Sequence, residues 1–165
     1  MKAGIITVSD KGSQGLRVDT SGPLIKEMLS TIGCEVVEYI IIPDEREIIS
    51  KELIRMSDMD LDLIFTTGGT GFSKRDVTPE ATLDVIEKLV PGIPEAMRYR
   101  SLQVTPKAML SRATAGIRKN SLIINLPGSA KAVKENLEVV LPVLEHGIGI
   151  LRGTASECGN HENVK

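Results

Sequence analysis

Tryptophan is missing from this 165-residue chain, and phenylalanine and tyrosine occur only twice each. Such a chain has little with which to stack nucleobases. Nor does it carry a long basic run: 20 lysines and arginines meet 22 aspartates and glutamates, for a net charge of −2. Both absences argue against a nucleic-acid-binding module. Cysteine is scarce as well. Cys34 and Cys158 are far apart and fit no zinc or redox spacing. Cys34 opens an apolar run and reads as a buried thiol. Cys158 shares the polar tail RGTASECGNHENVK with His161, and two ligands make a poor metal site. No apolar run approaches the roughly 18 residues of a membrane span. MKAGIITVSD enters a strand-like run at once, without a signal peptide. A cytoplasmic protein with no membrane partner is expected. There is no internal repeat, linker or low-complexity segment. The length suits one domain, set at 1–152, followed by a frayed polar tail, 153–165.

What is present is an alternation of strands and amphipathic helices. KAGIITVS (Lys2–Ser9), EVVEYIII (Glu35–Ile42) and Leu61–Thr67 are short apolar runs rich in β-branched residues, as buried strands are. Between them, Pro23–Ile32 and Glu45–Met56 have helical periodicity, and Gly33 stops the first. Thr78-Pro79 reads as a helix entry with Thr78 at the N-cap, and Val85, Ile86, Leu89 and Val90 as that helix's apolar stripe. Short helical pieces follow in EAMRYRSL and PKAML. Ala113–Ile117 and Ser121–Leu126 flank a turn at 118–120 and suggest a hairpin. The last helix carries Val133, Leu137, Val140 and Leu141, with an interruption expected at Pro142. The pattern implies a three-layer α/β/α sandwich with a mostly parallel central sheet. Ligands bind such sheets beyond the carboxyl ends of the strands. The segments there are Ser9–Asp19, Pro43–Glu45, Gly68–Asp76 and Pro127–Ser129, and the unusual chemistry of the chain falls in these four places.

The richest of them lies in TTGGTGFSKRDVTPEAT (Thr66–Thr82). Gly68, Gly69 and Gly71 leave no side chain between backbone and ligand, so successive amides can converge on an anion. Thr66, Thr67, Thr70 and Ser73 add hydroxyls, and Lys74 and Arg75 add positive charge. A tight strand–helix connection without a ligand is the simpler alternative, which the extra donors disfavour. The spacing is neither that of a Walker A loop nor that of the dinucleotide fingerprint, whose third glycine position holds Lys74. Asp76 beside a bound phosphate would repel it unless a cation intervened, and Mg²⁺ suits that role. An ion pair with Arg75 or Lys74 would explain Asp76 equally well. Asp44 has a competing explanation too: with Glu47 it has the spacing of a capping box. On that basis Asp44→Asn would lose a little stability. Asp10 is a third polar contact or a loop residue.

The same stretch, with IPDE (Ile42–Glu45), TVSD (Thr7–Asp10), LSRATAG (Leu110–Gly116) and INLPGS (Ile124–Ser129), resembles the molybdopterin adenylyltransferase family. These are the MogA-type enzymes, related to the G domains of gephyrin and its plant counterpart. The likeness runs from Lys2 to about Arg152. It implies transfer of AMP from Mg-ATP to the terminal phosphate of molybdopterin, releasing pyrophosphate, ahead of metal insertion. It also implies a homotrimer and contact with a metal-insertion protein. The family's catalytic aspartates fall on Asp44 and Asp76, which would also hold Mg²⁺. Its phosphate loop falls on Gly68, Gly69, Thr70 and Gly71, preceded by Thr67 and followed by Arg75. Ser9 and Asp10, then Ser111 and Arg112, then Pro127, Gly128 and Ser129 match further nucleotide- or molybdopterin-binding motifs. Lys74, Arg75 and Arg112 are the candidate counter-charges. A related group, the MoaB type, shares the fold, and some members depart from the motif at the aspartates. This chain keeps both PDE and RDVTPE, which favours the active type over a non-catalytic molybdopterin carrier or scaffold. It lacks the longer C-terminal portion of some MogA proteins.

Overall fold

A computed structural model describes residues 1–154. Six strands form one sheet in the order Glu35–Ile42 (β2), Lys2–Val8 (β1), Leu63–Thr67 (β3), Ser121–Leu126 (β6), Ala115–Arg118 (β5) and Lys88–Leu89 (β4). Its centre is built from β1 (Lys2–Val8), β3 (Leu63–Thr67) and β6 (Ser121–Leu126), nearly every residue of which is buried. This is what continuous apolar runs without polar alternation require: a strand covered on both faces. β1 pairs in parallel with β2 (Glu35–Ile42) and with β3, and β3 in parallel with β6. β5 (Ala115–Arg118) runs antiparallel to β6, the hairpin turning through Lys119 at φ 51°.

The two faces carry separate cores. Ala3, Ile5, Leu63, Phe65 and Ile124 pack with α2 (Ser21–Ser30), α5 (Gly92–Leu102) and α6 (Ala130–Leu151). Ile6, Val8, Ile64 and Ile123 pack with α3 (Arg46–Asp58) and α4 (Thr78–Leu83). The expected three layers are therefore present. Cys34 is buried and free, whereas Cys158 and His161 lie outside the described residues. No described helix is long and apolar enough to cross a membrane.

Two elements differ from the sequence pattern. The helix entered at Thr78 ends at Leu83, and Lys88–Leu89 form β4, antiparallel to β5. Glu87 N–H donates to Ile117 O, and Val90 N–H to Ala115 O. Val85, Ile86 and Val90 are β-branched, and Ile86 occupies the space that Gly116 leaves by lacking a side chain. Strand pairing thus outweighs a stripe that reads as helical. Pro142, in contrast, does not interrupt α6, which runs unbroken for 22 residues. Val133, Leu137 and Val140 before it, and Leu144 and Ile148 after it, are buried in the same core. That shared burial offsets a helix-interior proline cost of about 3 kcal/mol.

The loops after β1, β2, β3 and β6 leave the four parallel strands at the same edge of the sheet. A four-residue helix, α1 (Asp10–Ser13), forms within the first of them, with the Ser9 hydroxyl accepting from Gly12 N–H at 3.1 Å.

Candidate active site

These four loops enclose a cleft of about 300 Å³ whose lining includes Ser9, Asp44, Gly68, Gly69, Asp76 and Ser129, with Thr67 and Gly128. The glycines are sterically required. Gly68 has φ 99° and Gly69 φ 64°. A β-carbon on Gly68 would strike Val8 O. One on Gly69 would strike the Thr78 hydroxyl and lie 3.2 Å from Asp44 Oδ1. Gly68 N–H is spent on Leu126 O at 3.3 Å, but no described residue accepts from the amides of Gly69, Thr70 or Gly71. Three successive unclaimed donors make a cradle for an anion. Thr67 Oγ1 donates to Pro127 O at 2.7 Å and Ser21 Oγ to Gly128 O at 2.9 Å, so neighbouring loops hold one another.

The capping explanation of Asp44 fails. The N-cap of α3 is Glu45, with no side-chain cap bond. Asp44 turns instead toward the first loop: Asp10 N–H donates to its Oδ2 at 2.8 Å, and its own N–H donates to Asp10 Oδ1 at 3.1 Å. Asp76 Oδ2 accepts from Ser73 N–H at 2.9 Å. In both aspartates Oδ2 is engaged, while Oδ1 accepts no bond among the described residues. Burial pushes Asp44 above the ordinary carboxylate range, the charges of Asp10 and Asp76 add to this, and the Asp10 amide and Arg75 oppose it. Two carboxylates so placed, each with an oxygen to spare, suit a divalent cation. No cluster of three or more metal-ligating side chains occurs among the described residues, so phosphate oxygens would have to complete the shell, as is usual for Mg²⁺.

Thr78 is not an N-cap either. It is the first residue of α4, its N–H donating to Gly69 O at 3.1 Å. Its buried hydroxyl has no hydrogen-bond partner among the described residues and lies beneath Gly69. The backbone bond ties the helix to the loop and turns the side chain inward.

The arginines proposed as counter-charges are held by the protein. Arg75 donates to both oxygens of Asp10 and pairs with Glu45. Arg112 donates from Nε to Gly71 O at 2.7 Å and from Nη2 to Asp76 O at 2.5 Å. It also pairs with Glu80, and its N–H donates to Thr70 O at 2.9 Å. Neither Arg75 nor Arg112 lines the cleft, nor does Asp10. Lys74 is exposed.

Thr70, Gly71, Ser111 and Pro127 face a second pocket of about 280 Å³, alongside Arg98 and Lys107. Residues 68–71 therefore border both cavities, which places the unclaimed amides between two adjoining spaces. Lys107 is a cation that sequence reasoning passed over, for lack of any motif around it. Asp19 was also missed, though it lines the first cleft. Its carboxylate accepts from Thr7 Oγ1, Tyr39 Oη, Ser21 N–H and Gly22 N–H. The signal was available in DTSG, an aspartate just ahead of a helix start.

Residues 4–146 match the family profile described as "Probable molybdopterin binding domain". A molybdopterin adenylyltransferase of Helicobacter pylori is 45% identical over 165 residues, covering 98% of this chain and 93% of that one. Its namesake in Escherichia coli is 44% identical over 156 residues, covering 90% and 80%. A crystal structure of the molybdopterin biosynthesis enzyme MoaB from Thermus thermophilus superposes with a TM-score of 0.87 at 49% identity, covering 92% and 96%.

Proposed function

The chain belongs to this molybdopterin-binding family, and from that premise we propose that it is a molybdopterin adenylyltransferase of molybdenum-cofactor biosynthesis. The reaction transfers AMP from ATP to the terminal phosphate of molybdopterin. A phosphate oxygen of molybdopterin forms a bond to the α-phosphorus, and the bond from that phosphorus to the β-bridging oxygen breaks, releasing pyrophosphate. The attacking oxygen is already anionic near neutral pH, so no strong base is needed. The difficulty is to bring two polyanions together, and catalysis rests on positioning and charge neutralisation.

The observation that carries this reading is a pair of carboxylates, Asp44 and Asp76, lining one cleft with unclaimed amides beside them. The Gly69, Thr70 and Gly71 amides would hold phosphate oxygens where the two cavities adjoin. The polar cleft suits the nucleotide phosphates. The pocket beyond, with Ser111, Lys107 and Arg98, suits the pterin side. Asp44 and Asp76 would hold Mg²⁺, which supplies charge neutralisation at the phosphates. The reading includes a homotrimer, for which an apolar groove of about 260 Å³ lined by Ile93, Ile117, Val143 and Leu151 offers surface. It also includes a cytoplasmic location, where ATP is at hand, and hand-over to a metal-insertion protein.

The family profile is described by binding alone, which a second reading, molybdopterin binding without transfer, would also meet. Pyrophosphate release from Mg-ATP and molybdopterin separates the two. The transferase reading expects release that depends on both substrates and is lost in Asp76→Asn. Tight molybdopterin binding with no release would establish the carrier instead.

A further inference from the structure

Three of the strand-end loops meet in a small network beside the cleft. Arg75, beyond β3, donates from Nε to Asp10 Oδ2 at 3.0 Å and from Nη2 to Asp10 Oδ1 at 2.9 Å. Its Nη2 also lies 2.8 Å from Glu45 Oε1, beyond β2. Asp10, beyond β1, exchanges two hydrogen bonds with Asp44, side chain to main chain in each direction. Both oxygens of Asp10 are thus engaged, so a direct bond to a ligand would mean giving up an existing one. Asp44 is held at its amide and at Oδ2 by a single residue. Its carboxylate cannot rotate without losing the Asp10 amide, and Oδ1 is left beside Gly69.

We infer that Asp10 and Arg75 are positioning residues for adenylyl transfer: Arg75 holds Asp10, and Asp10 sets Asp44 so that Oδ1 is the oxygen offered to the phosphate-bound cation. This rests on the role given to Asp44 above. The side chains of Arg75, Asp10 and Glu45 are 51%, 39% and 50% exposed, a setting in which ion pairs add little stability. The network's contribution is therefore geometric. A direct counter-charge role for Arg75 would instead require its two-pronged bond to Asp10 to break on loading.

The test uses Asp10→Asn, Arg75→Gln and Arg75→Lys, each alone and combined with Asp44→Asn. Pyrophosphate release gives kcat and the KM for molybdopterin. Mn²⁺ binding in the presence of a non-transferable ATP analogue, α,β-methylene-ATP, reads the cation site without turnover. Removing residues that orient metal ligands typically costs about 10- to 100-fold in affinity or activity. Losses of that order are expected in kcat and in Mn²⁺ affinity for Asp10→Asn and Arg75→Gln, with Arg75→Lys recovering part. The KM for molybdopterin and the melting temperature should stay at wild-type values. In the Asp44→Asn background, Asp10→Asn should cause no further loss, because its effect passes through Asp44. Wild-type turnover and Mn²⁺ binding in Asp10→Asn and Arg75→Gln would overturn the inference. So would a full additional loss in the Asp44→Asn background, which would mean direct contact with substrate, or a fall in melting temperature accompanying every defect. If Asp44→Asn alone proves indistinguishable from wild type in both assays, the role of Asp44 itself falls.

Discussion

Asp19 and Asp44 line the same cleft, yet their surroundings do opposite things to them. Burial pushes the Asp19 carboxyl up, but the Thr7 and Tyr39 hydroxyls and the Ser21 and Gly22 amides outweigh it and hold the group below the ordinary range. Asp44 meets burial with one amide and with Arg75, while Asp10 and Asp76 bring further negative charge, and it ends above that range. One corner of the cleft is electrostatically complete. The other is raised in spite of Arg75, whose guanidinium is already shared between Asp10 and Glu45. A cleft carboxylate raised by burial and by neighbouring charge is a candidate for function. On the proposed function, Asp44 would belong to the chemistry and Asp19 to the architecture.

The largest expected effect tests this division directly. Asp44→Asn and Asp76→Asn should each lower pyrophosphate release by about a hundredfold or more, the scale of losing one stabilising group at a transition state. Asp44→Asn should nonetheless melt no lower than wild type without nucleotide. Its folded pKa is raised, so its contribution to stability is present below the unfolded value and is lost as pH rises through the folded one. A neutral amide escapes that loss at pH 7, which reverses the small destabilisation that helix capping would have caused. A melting temperature several degrees below wild type would put Asp44 in the same class as Asp19.

Asp19→Asn should show the converse, with a stability loss of about 1 kcal/mol from disturbed part-buried hydrogen bonds. Because the folded pKa is depressed, the stabilisation is complete above the unfolded value of about 3.9 and fades as pH falls through the folded one. Urea melts at pH 7 and pH 3 should therefore show wild type and variant converging in acid. An equal gap at both pH values would contradict the cause assigned here.

Two glycines with similar backbone demands should differ. Gly69→Ala combines φ 64° with a collision at the Thr78 hydroxyl, whereas Gly15→Ala at φ 72° meets nothing within 4 Å. Backbone strain alone costs about 1–2 kcal/mol. Thermal melts should place Gly15→Ala near that figure and Gly69→Ala beyond it, with turnover reduced only in the latter. Smallest of all, Arg46→Gln breaks an exposed pair with Asp84, 52% and 40% exposed, and should leave melting and turnover at wild-type values.

The sheet and its four strand-end loops were legible because a parallel strand buried on both faces must be apolar throughout, so each apolar run ends abruptly where a loop begins. Glycines that no other residue could replace also stand out. What misled was local chemistry with two solutions. Asp44 and Thr78 both carry helix-capping side chains at helix starts, and both turn inward because neighbouring loops offer other geometry. Val85–Val90 is apolar at helical spacing, but β5 lies beside it with open backbone groups. Arg112 follows a serine in a motif that suggests ligand contact, and only tertiary structure shows its guanidinium directed at loop carbonyls.

That guanidinium has a thermodynamic consequence. By fastening Gly71 O and Asp76 O, Arg112 fixes a glycine-rich segment that would otherwise sample many shapes. The ordering is completed when the chain folds, so on the proposed function a nucleotide would find the cradle already formed. Calorimetry of nucleotide binding should accordingly lack the heavy entropic penalty of a loop that organises around its ligand. Loosening this strap would shift that penalty from folding to binding.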